Sequence, residues 1–392
     1  MLPVPSGPRC FSSVIIWLAT SGCEGSPCKS INPHIPHISL IIRVKISIEP
    51  CFTFTYRICV PSFPAMVQFA SMAGTFVLSL DTELGWGTVD KYNPSKYLRH
   101  LEGTRDAISR LLGLFATYEI PVTWAMVGHL FLNECDHTHG MDSHPDVETG
   151  RKLSNGLPWH SADPGTNRIT DPFWYGDDIL KMILEAKPRH EIGCHTFSHL
   201  PFDHPDVDAT TVASQLSKCH QVASVANVKL RSFVFPRNRI RHEDLLGENG
   251  FISYRGIQEN WYAKLPLHLR RAVSLGDRIL CLTPTVYPRN KLHIRNGAVN
   301  IPASMYLMPP DGVRKFLPGS FRVRQAEKGL VKAVNSDAIF HLWFHPWNAG
   351  GTPIIEDWLE RILEKVSNFR TNNALRTMTM EQVADERLEG AF

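Results

Sequence analysis

The sequence lacks features that would place it in several common protein classes. It has no run of about 18 apolar residues, so no transmembrane helix is expected. No G-x-G-x-x-G sequence opens a first helix, so a dinucleotide-binding fold has no support. The net charge is only +3 over 392 residues, which is too small to favour a nucleic-acid or membrane partner. The hydrophobic content of 43% instead predicts a soluble globular protein.

Acidic residues are scarce in the first 65 positions. This part has no aspartate, two glutamates and five basic residues, so it carries the whole net charge (5 − 2 = +3). It also holds five of the nine cysteines and nine of the prolines. So sharp a change in composition predicts a boundary, with residues 1–65 as an atypical extension and residues 66–392 as a single domain.

Three interpretations of the extension are open. The apolar stretch from Ser13 to Thr20, followed by Cys23, resembles a short export leader. The cysteines could instead mark a small disulfide-bearing extension. We favour a third interpretation, in which these residues are not part of the working protein, because Met66 and Met72 stand just before the first convincing strand. The four remaining cysteines then imply a reduced compartment and a cytoplasmic location.

Strand-like and helix-like segments alternate from Gly74 onward. Strands are predicted at 75–80, 121–127, 191–194, 231–235, 251–254, 338–344 and 375–378. Helices are predicted at 104–118, 177–186, 209–226, 242–248, 322–334, 354–369 and 380–387. The alternation predicts an α/β fold with a parallel sheet, and about seven strands favour a distorted (β/α) barrel over an open doubly wound sheet.

Two long connections interrupt this alternation. Residues 133–175 are polar and rich in His, Asp, Pro and Gly, and residues 283–320 are rich in Pro and Arg. Loops of this length inside a compact domain usually carry function. In a barrel we expect both to lie around the mouth of the active site.

Polar side chains follow four of the predicted strands. The candidates, in chain order, are Asp81 and Glu83, His195 and His199, Arg237 and Asn238, and His345. Because active sites of parallel barrels are built at the C-terminal ends of the strands, we expect these side chains to meet at one rim.

The residue types at this rim favour a metal site. Asp81 and Glu83 are two positions apart, so an extended segment turns both to the same side. Two buried acids are costly unless something positive neutralises them. His195 and His199 have the spacing of a metal-binding pair, and two imidazoles with one carboxylate form a common zinc set that leaves a position for water. The water bound there ionises near pH 7, and nickel or cobalt could use the same ligands.

The neighbouring residues have simpler interpretations. His190 and Glu191 do not begin an H-E-x-x-H zinc motif, because Cys194 stands where the second histidine would be. Glu191 is therefore not predicted to be a general base. Strand alternation directs Cys194 away from His195, so a structural role is expected for this cysteine.

The motifs together resemble those of the polysaccharide deacetylase family (carbohydrate esterase family four). H-T-F-S-H at 195–199 fits the metal motif of that family, and L-W-F-H-P-W at 342–347 fits its late histidine motif. The similarity runs from about Phe76 to Glu381. It implies a distorted barrel of about seven strands that uses a divalent metal to remove N- or O-acetyl groups from glycans.

The resemblance also implies individual roles. His195 and His199 would be metal ligands, and Asp81 would be the base that activates the metal-bound water. His345 would protonate the leaving amine, and Arg237 would orient or tune the base.

The first motif departs from the pattern of the family. Most members have adjacent aspartates, whereas Asp81 is followed here by Thr82 and Glu83. The D-T-E arrangement resembles a branch that acts on other C–N bonds or on peptidoglycan, and by that alignment Glu83 is the metal ligand and Asp81 the base. If Glu83 does not bind, Asp81 would bind and another group must be the base.

Substrate-binding candidates lie near the same strand ends. Trp86 and Trp347 could stack on sugar rings, although plain packing is equally expected for tryptophans in such positions. Asn238 is a third candidate. Further residues that follow strands and could line the cleft are His129, Tyr254 and Arg255.

The leading hypothesis is a metal-dependent hydrolase of non-peptide C–N bonds, acting on an acetylated carbohydrate. Two alternatives stay open. The missing second aspartate motivates a catalytically silent carbohydrate-binding barrel. The long connection at 133–175 motivates an amidohydrolase that closes a small pocket over a small amide.

Overall fold

The computed structural model describes residues 14–19, 41–48, 52–59, 73–89, 94–136, 159–259, 284–310 and 318–391, with six single positions between 262 and 277. The chain divides into two compact units, Met1–Ala70 and Ser71–Phe392. In the first unit, strands β1 (Val14–Ala19), β2 (Ile41–Ile48) and β3 (Phe52–Cys59) form an antiparallel sheet in the order β1-β2-β3. The leader and disulfide interpretations concern side chains outside the described residues, and the assignment of residues 1–65 to a non-working part stays a prediction.

The second unit is built on one large sheet. Its strands are β4 (Gly74–Thr82), β5 (Thr123–Met126), β6 (Glu191–Cys194), β7 (Ser232–Phe233), β8 (Ser253–Gly256), β9 (Tyr287–Pro288), β10 (Ile294–Arg295), β11 (Ala298–Pro302), β12 (Met305–Tyr306), β13 (Ala338–Phe344) and β14 (Leu375–Met378). All seven predicted strands are present, each within two residues of its predicted ends.

The sheet is parallel along its main path and curls. Its order is β11-β8-β7-β6-β5-β4-β13-β12, and every neighbouring pair on this path is parallel. Strand β4 lies inside the sheet and pairs with β5, β13 and β14, and all nine of its residues are buried, as expected for a parallel strand covered on both faces. The predicted α/β fold with a barrel-like parallel sheet is therefore confirmed.

The prediction of a loop over residues 283–320 is wrong for part of its length. Strand β11 pairs with β8 and β12 pairs with β13. Between them, the amides of Ala303 and Ser304 donate to the carbonyls of Gly256 and His341. One short segment therefore hydrogen-bonds to strands at both ends of the sheet. Asn300 and Pro302 are residues that strands disfavour, so pairing with β8 and β13 decides the conformation of this segment.

Helices cover the outside of the sheet. They are α1 (Leu98–Glu102), α2 (Thr104–Tyr118), α3 (Asp177–Glu185), α4 (Ala209–Val225), α5 (Leu245–Glu248), α6 (Gly319–Ser336), α7 (Pro346–Gly351), α8 (Ile354–Thr371) and α9 (Met380–Leu388). The apolar residues that predicted α2, among them Ile108, Leu111 and Phe115, are buried in the main core. Within the described part of the chain, no helix combines the length and apolarity that a membrane crossing requires.

A buried carboxylate lies at the N-terminal end of the sheet. Glu191 begins β6, and its Oε2 accepts hydrogen bonds from the Thr123 hydroxyl at 2.7 Å and the Glu381 amide at 3.1 Å. Burial, reinforced by the carboxylate of Glu381, raises the pKa of Glu191 from 4.5 to about 7. The unfolded chain binds this proton less tightly, so folding stability depends on pH through this residue.

Replacing Glu191 by glutamine should remove that dependence. Because the folded-state pKa lies above the unfolded value, the contribution of Glu191 is fully present below pH 4.5 and is lost as the pH rises through 7. The wild-type protein should therefore lose about 2–3 kcal/mol of stability relative to Glu191→Gln between pH 5 and pH 8. Urea unfolding at several pH values measures this. Glu185 is exposed, so Glu185→Gln is the control. If the unfolding free energy of Glu191→Gln changed with pH in the same way as that of wild type, the assignment would be contradicted.

Candidate active site

The polar residues predicted after the strands do meet at one end of the sheet. Asp81 lies at the end of β4 with Glu83 just beyond it, His195 directly follows β6, and His345 directly follows β13. Asp81, Glu83, His195 and His199 are buried, and His345 is partly exposed. The carboxyl ends of parallel strands share one edge, which is why residues far apart in sequence become neighbours here.

A strained turn presents the two histidines. Residues 195–199 are not helical, and both Thr196 and His199 have φ values of 59°. This left-handed conformation costs about 1–3 kcal/mol for such residues. Hydrogen bonds hold it, because the Gln215 side chain on α4 accepts from the amides of Phe197 and Ser198 at 2.9 and 3.2 Å. The turn brings both imidazoles to the same side without a helix.

Glu83 sits between the two histidines. Its Oε1 lies 3.1 Å from Nε2 of His195 and 3.1 Å from Nε2 of His199. Zinc–ligand distances of about 2.0–2.2 Å imply a separation of about 3.3 Å between neighbouring ligands of a tetrahedral ion. Both distances from Glu83 Oε1 are close to that separation, and all three ligand atoms lie within 4.8 Å of one another.

The hydrogen bond of His195 to the backbone constrains its tautomer. Its Nδ1 lies 2.7 Å from the carbonyl oxygen of Val234, so Nδ1 carries a proton and donates it. In a neutral imidazole, Nε2 then has only a lone pair to direct at the Glu83 carboxylate. Two acceptors at 3.1 Å repel each other unless a proton or a metal ion lies between them. The donor set and its geometry fit a divalent metal.

The charges of the cluster agree with this assignment. Burial alone would raise the pKa of Glu83, but His345 and His199 outweigh it and hold that pKa well below 4.5. Burial lowers the pKa of His199 to about 4, so this imidazole is neutral at physiological pH. An ionised carboxylate and a neutral imidazole are the protonation states that bind metal.

Asp81 has a different partner. Its two oxygens accept from Nη1 and Nη2 of Arg255 at 2.6 and 2.7 Å, which is a bidentate pair. Arg255 is buried, donates also to Ser79 and Asn238, and lies 4.1 Å from the centre of the Trp343 ring. Burial raises the pKa of Asp81, but Arg255 lowers it by more, so this carboxylate stays ionised.

His345 faces both carboxylates from the open side. Its Nε2 lies 3.3 Å from Glu83 Oε1 and 3.9 Å from Asp81 Oδ2. Its Nδ1 lies 3.4 Å from the hydroxyl of Tyr306, which accepts from Asn348. The side chain of His345 is 17% exposed, against 4% or less for Asp81, Glu83 and the two other histidines. It is the member of the cluster that solvent can reach.

Two expected roles have different outcomes. Arg255 forms the bidentate ion pair with Asp81, whereas Nη2 of Arg237 donates to the carbonyl of Gly87 at 3.1 Å, and the role of Arg237 toward the base stays a prediction. Trp86 is fully buried, and its indole N–H donates to the carbonyl of Trp174. A sugar ring cannot reach Trp86, so the prediction of substrate stacking on it is wrong.

The other substrate candidates lie beside the cluster. Asn238 follows β7, and its Oδ1 accepts from Arg255 at 2.9 Å. It therefore orients the partner of Asp81, and its role toward substrate stays a prediction. Trp347 is half-buried, and its ring centre lies 5.6 Å from that of His345.

The first half of H-E-I-G-C-H lies away from the site. Nδ1 of His190 accepts from the Val122 amide, and burial lowers the pKa of His190 to about 4. Glu191 occupies the opposite end of the strand, and Cys194 belongs to the hydrophobic core.

Three supporting residues were missed. Ser79 and Gln215 are buried and hold Arg255 and the histidine turn, but an isolated serine or glutamine carries no sequence signal. Tyr306 lies in the segment predicted as loop, and its place beside His345 follows from the pairing of β12 with β13. Arg255, by contrast, was detectable from its position at a strand end.

Comparisons with known proteins place the fold. No protein-family model matches the sequence, and no curated protein matches it. A structure from Mycobacterium smegmatis, provisionally described as a polysaccharide deacetylase, has a TM-score of 0.54 at 16% identity and covers 83% of this chain and 94% of its own. PuuE allantoinase has a TM-score of 0.50 at 12% identity, and the match covers 81% of this chain and 91% of the allantoinase chain. A similarly described polysaccharide deacetylase from Pseudomonas aeruginosa PAO1 has a TM-score of 0.50 at 12% identity, and the match covers 79% of this chain and 89% of the deacetylase chain.

These similarities establish a polysaccharide-deacetylase-like fold. Identities of 16% or less show the fold alone. The activity must therefore be argued from the site itself.

Removing one partner of the buried Asp81–Arg255 pair should be strongly destabilising. Replacing Arg255 by leucine leaves Asp81 buried without its counter-ion, which should cost about 3–5 kcal/mol in urea unfolding. The matched control is Arg239→Leu, which removes an arginine that is 58% exposed and pairs with Asp203, and should cost less than about 1 kcal/mol. Adding Asp81→Asn to Arg255→Leu should recover part of the loss. Equal stability of the two single variants would contradict the assignment.

Proposed function

We propose that the protein is a metal-dependent hydrolase of non-peptide C–N bonds, acting most simply on an N-acetyl group of a sugar. The observation that carries the proposal is the position of Glu83 Oε1, 3.1 Å from Nε2 of both His195 and His199. A second, buried carboxylate, Asp81, lies nearby, and a partly exposed imidazole, His345, faces both carboxylates. Amide hydrolysis needs a base and an acid in this relation to an activated water.

Glu83, His195 and His199 would hold the metal. When bound, a divalent cation lowers the pKa of a coordinated water to about 7 and polarises the carbonyl of the substrate. Two imidazoles and one carboxylate favour zinc, and nickel or cobalt are compatible with the same ligands.

Asp81 would accept the proton of the attacking water. It is ionised because Arg255 keeps its pKa low, and the bidentate pair fixes the direction of its oxygens. Arg255 does not reach the reacting atoms in this scheme. It acts by positioning Asp81, the role that the resemblance implied for Arg237.

His345 would donate a proton to the leaving nitrogen. An amine anion is a poor leaving group, so breaking the C–N bond requires that this nitrogen be protonated. The Tyr306 hydroxyl at 3.4 Å from Nδ1 and the carboxylates near Nε2 orient the ring. Trp347 and Asn238 lie beside these groups and would contact the sugar.

A small amide is the second candidate substrate. The fold resemblance to PuuE allantoinase motivates it. So does the packing of the connection after residue 133, because the Trp159 indole donates to the Ser198 carbonyl and the Gly85 amide donates to the Phe173 carbonyl. This connection therefore lies against the loops that carry Glu83 and His199. Turnover of a ureide, without turnover of N-acetylated sugars, would select this candidate.

Variants of the acid and the base should respond differently to the leaving group. His345→Gln should lower kcat about 10²–10⁴-fold for an N-acetylated sugar, because its amine must be protonated. For a nitrophenyl acetate the leaving group needs no proton, so the same variant should lose little. Asp81→Asn should slow both reactions, since both need the water to be deprotonated.

The control for these variants is His204→Gln, a histidine in the loop before α4 that pairs with Asp206. It should leave both rates unchanged. Equal losses of His345→Gln on the two substrates would remove its assignment as the acid. Full activity of Asp81→Asn and His195→Ala on an accepted substrate would overturn the proposed function.

Removal of the metal should abolish turnover. Dialysis against a chelator should inactivate the enzyme, and one equivalent of zinc should restore it. His199→Ala should lower the metal content measured by elemental analysis. A catalytically silent carbohydrate-binding barrel would instead hold no metal at Glu83, and its sugar affinity would not change in His199→Ala.

A further inference from the structure

A second group of ligating side chains lies outside the candidate active site. His129 is in the 3₁₀ turn after β5, Cys135 opens the long connection, and Asp163 lies near its end. All three are buried, and their ligand atoms lie within 4.8 Å of one another. None of the three has a part in the proposed hydrolysis.

The distances within this cluster resemble those around a metal ion. Nε2 of His129 lies 3.2 Å from Asp163 Oδ2, and the Sγ of Cys135 lies 3.3 Å from the same oxygen. Zinc–nitrogen, zinc–oxygen and zinc–sulfur distances of about 2.0–2.3 Å imply separations of about 3.3–3.6 Å between neighbouring ligands of a tetrahedral ion. The observed spacing is close to that range.

His129 lies between two hydrogen-bond acceptors. Its Nδ1 lies 3.0 Å from the carbonyl oxygen of Trp174, and its Nε2 faces the Asp163 carboxylate. A neutral imidazole has a single N–H and can satisfy only one of these two acceptors. A second proton on the ring, a proton on the Asp163 carboxyl or a metal ion between the two groups would each remove this conflict. Donation of one ring N–H to a backbone carbonyl is the usual arrangement of a metal-ligating histidine.

Cys135 favours the metal ion. Its thiol donates to the same carboxylate oxygen at 3.3 Å, and as a thiolate this sulfur would add a third ligand to the imidazole and the carboxylate. Imidazole, thiolate and carboxylate together suit zinc, whereas a thiolate disfavours magnesium and calcium. We propose that His129, Cys135 and Asp163 bind a second zinc ion. Binding releases the thiol proton of Cys135 to solvent.

The effect of this ion would be structural. Cys135 and Asp163 are 28 residues apart along the chain, so the ion would close the connection between them. The ends of the connection already approach each other through the Cys135 amide and the Thr166 carbonyl at 2.8 Å. The ring of His129 lies 5.7 Å from that of Phe197, which belongs to the turn carrying His195 and His199. The second ion would thereby support the turn that presents the first.

Metal content and cobalt spectroscopy on the full chain test the proposal. Cys135→Ser should lower the zinc content by one equivalent relative to wild type. After exchange with Co²⁺, wild type should show a thiolate-to-cobalt charge-transfer band, because Glu83, His195 and His199 offer no sulfur. The band should disappear in Cys135→Ser and persist in His199→Ala, which separates this site from the proposed catalytic one.

Cys219→Ser is the matched control. Cys219 is buried and lies outside the cluster, so this variant should keep both the band and the full zinc content. A band that is absent from wild type, or zinc content unchanged in Cys135→Ser, would overturn the proposal in favour of a protonated His129–Asp163 pair. If Cys135→Ser does not fold, X-ray absorption of zinc-loaded His199→Ala replaces it. One sulfur and one imidazole around the zinc would support the site, and a zinc environment without sulfur would refute it.

Discussion

Two carboxylates buried at the end of β4 are the constraint on which the rest of the site depends. Asp81 and Glu83 are only two positions apart and almost inaccessible to water, so each needs a positive partner. Arg255 neutralises Asp81 through two short hydrogen bonds. Glu83 has histidines around it instead, and the tautomer of His195 leaves a place between them for a cation. Asp81, which pairs with an arginine, is therefore the proposed base, and Glu83, which is surrounded by histidines, is the proposed metal ligand.

The scaffold supports this arrangement at some cost. The turn at 195–199 contains two residues with left-handed backbone conformation, and it persists because Gln215 satisfies two of its amides. The connection after residue 133 packs against the same turn through Trp159. A metal ion at His129 would add a further constraint from this side. The strained turn is therefore braced by α4 and by the connection, so that the imidazoles are held before any metal or substrate arrives.

Much of the fold could be predicted because its signals are local. Apolar runs and helical periodicity placed all seven predicted strands and all seven predicted helices close to their observed positions. The rule that parallel strands end at one rim then brought together Asp81, Glu83, His195 and His345. Local signals failed where pairing between distant segments decides the structure, as for β11 and β12, which are only five and two residues long. Without these strands, the position of Tyr306 could not be foreseen.

The sequence by itself determined which residues reach the rim, because chemical type and position after a strand are both written in the chain. Which of them touch was decided only by the tertiary structure. Arg237 follows β7 and Arg255 lies near the end of β8, and only the geometry of the sheet pairs Asp81 with Arg255. Trp86 also lies near a strand end, yet packing against Trp174 and His129 buries it. Partner choice and burial depend on contacts between segments distant in sequence, and no local pattern records them.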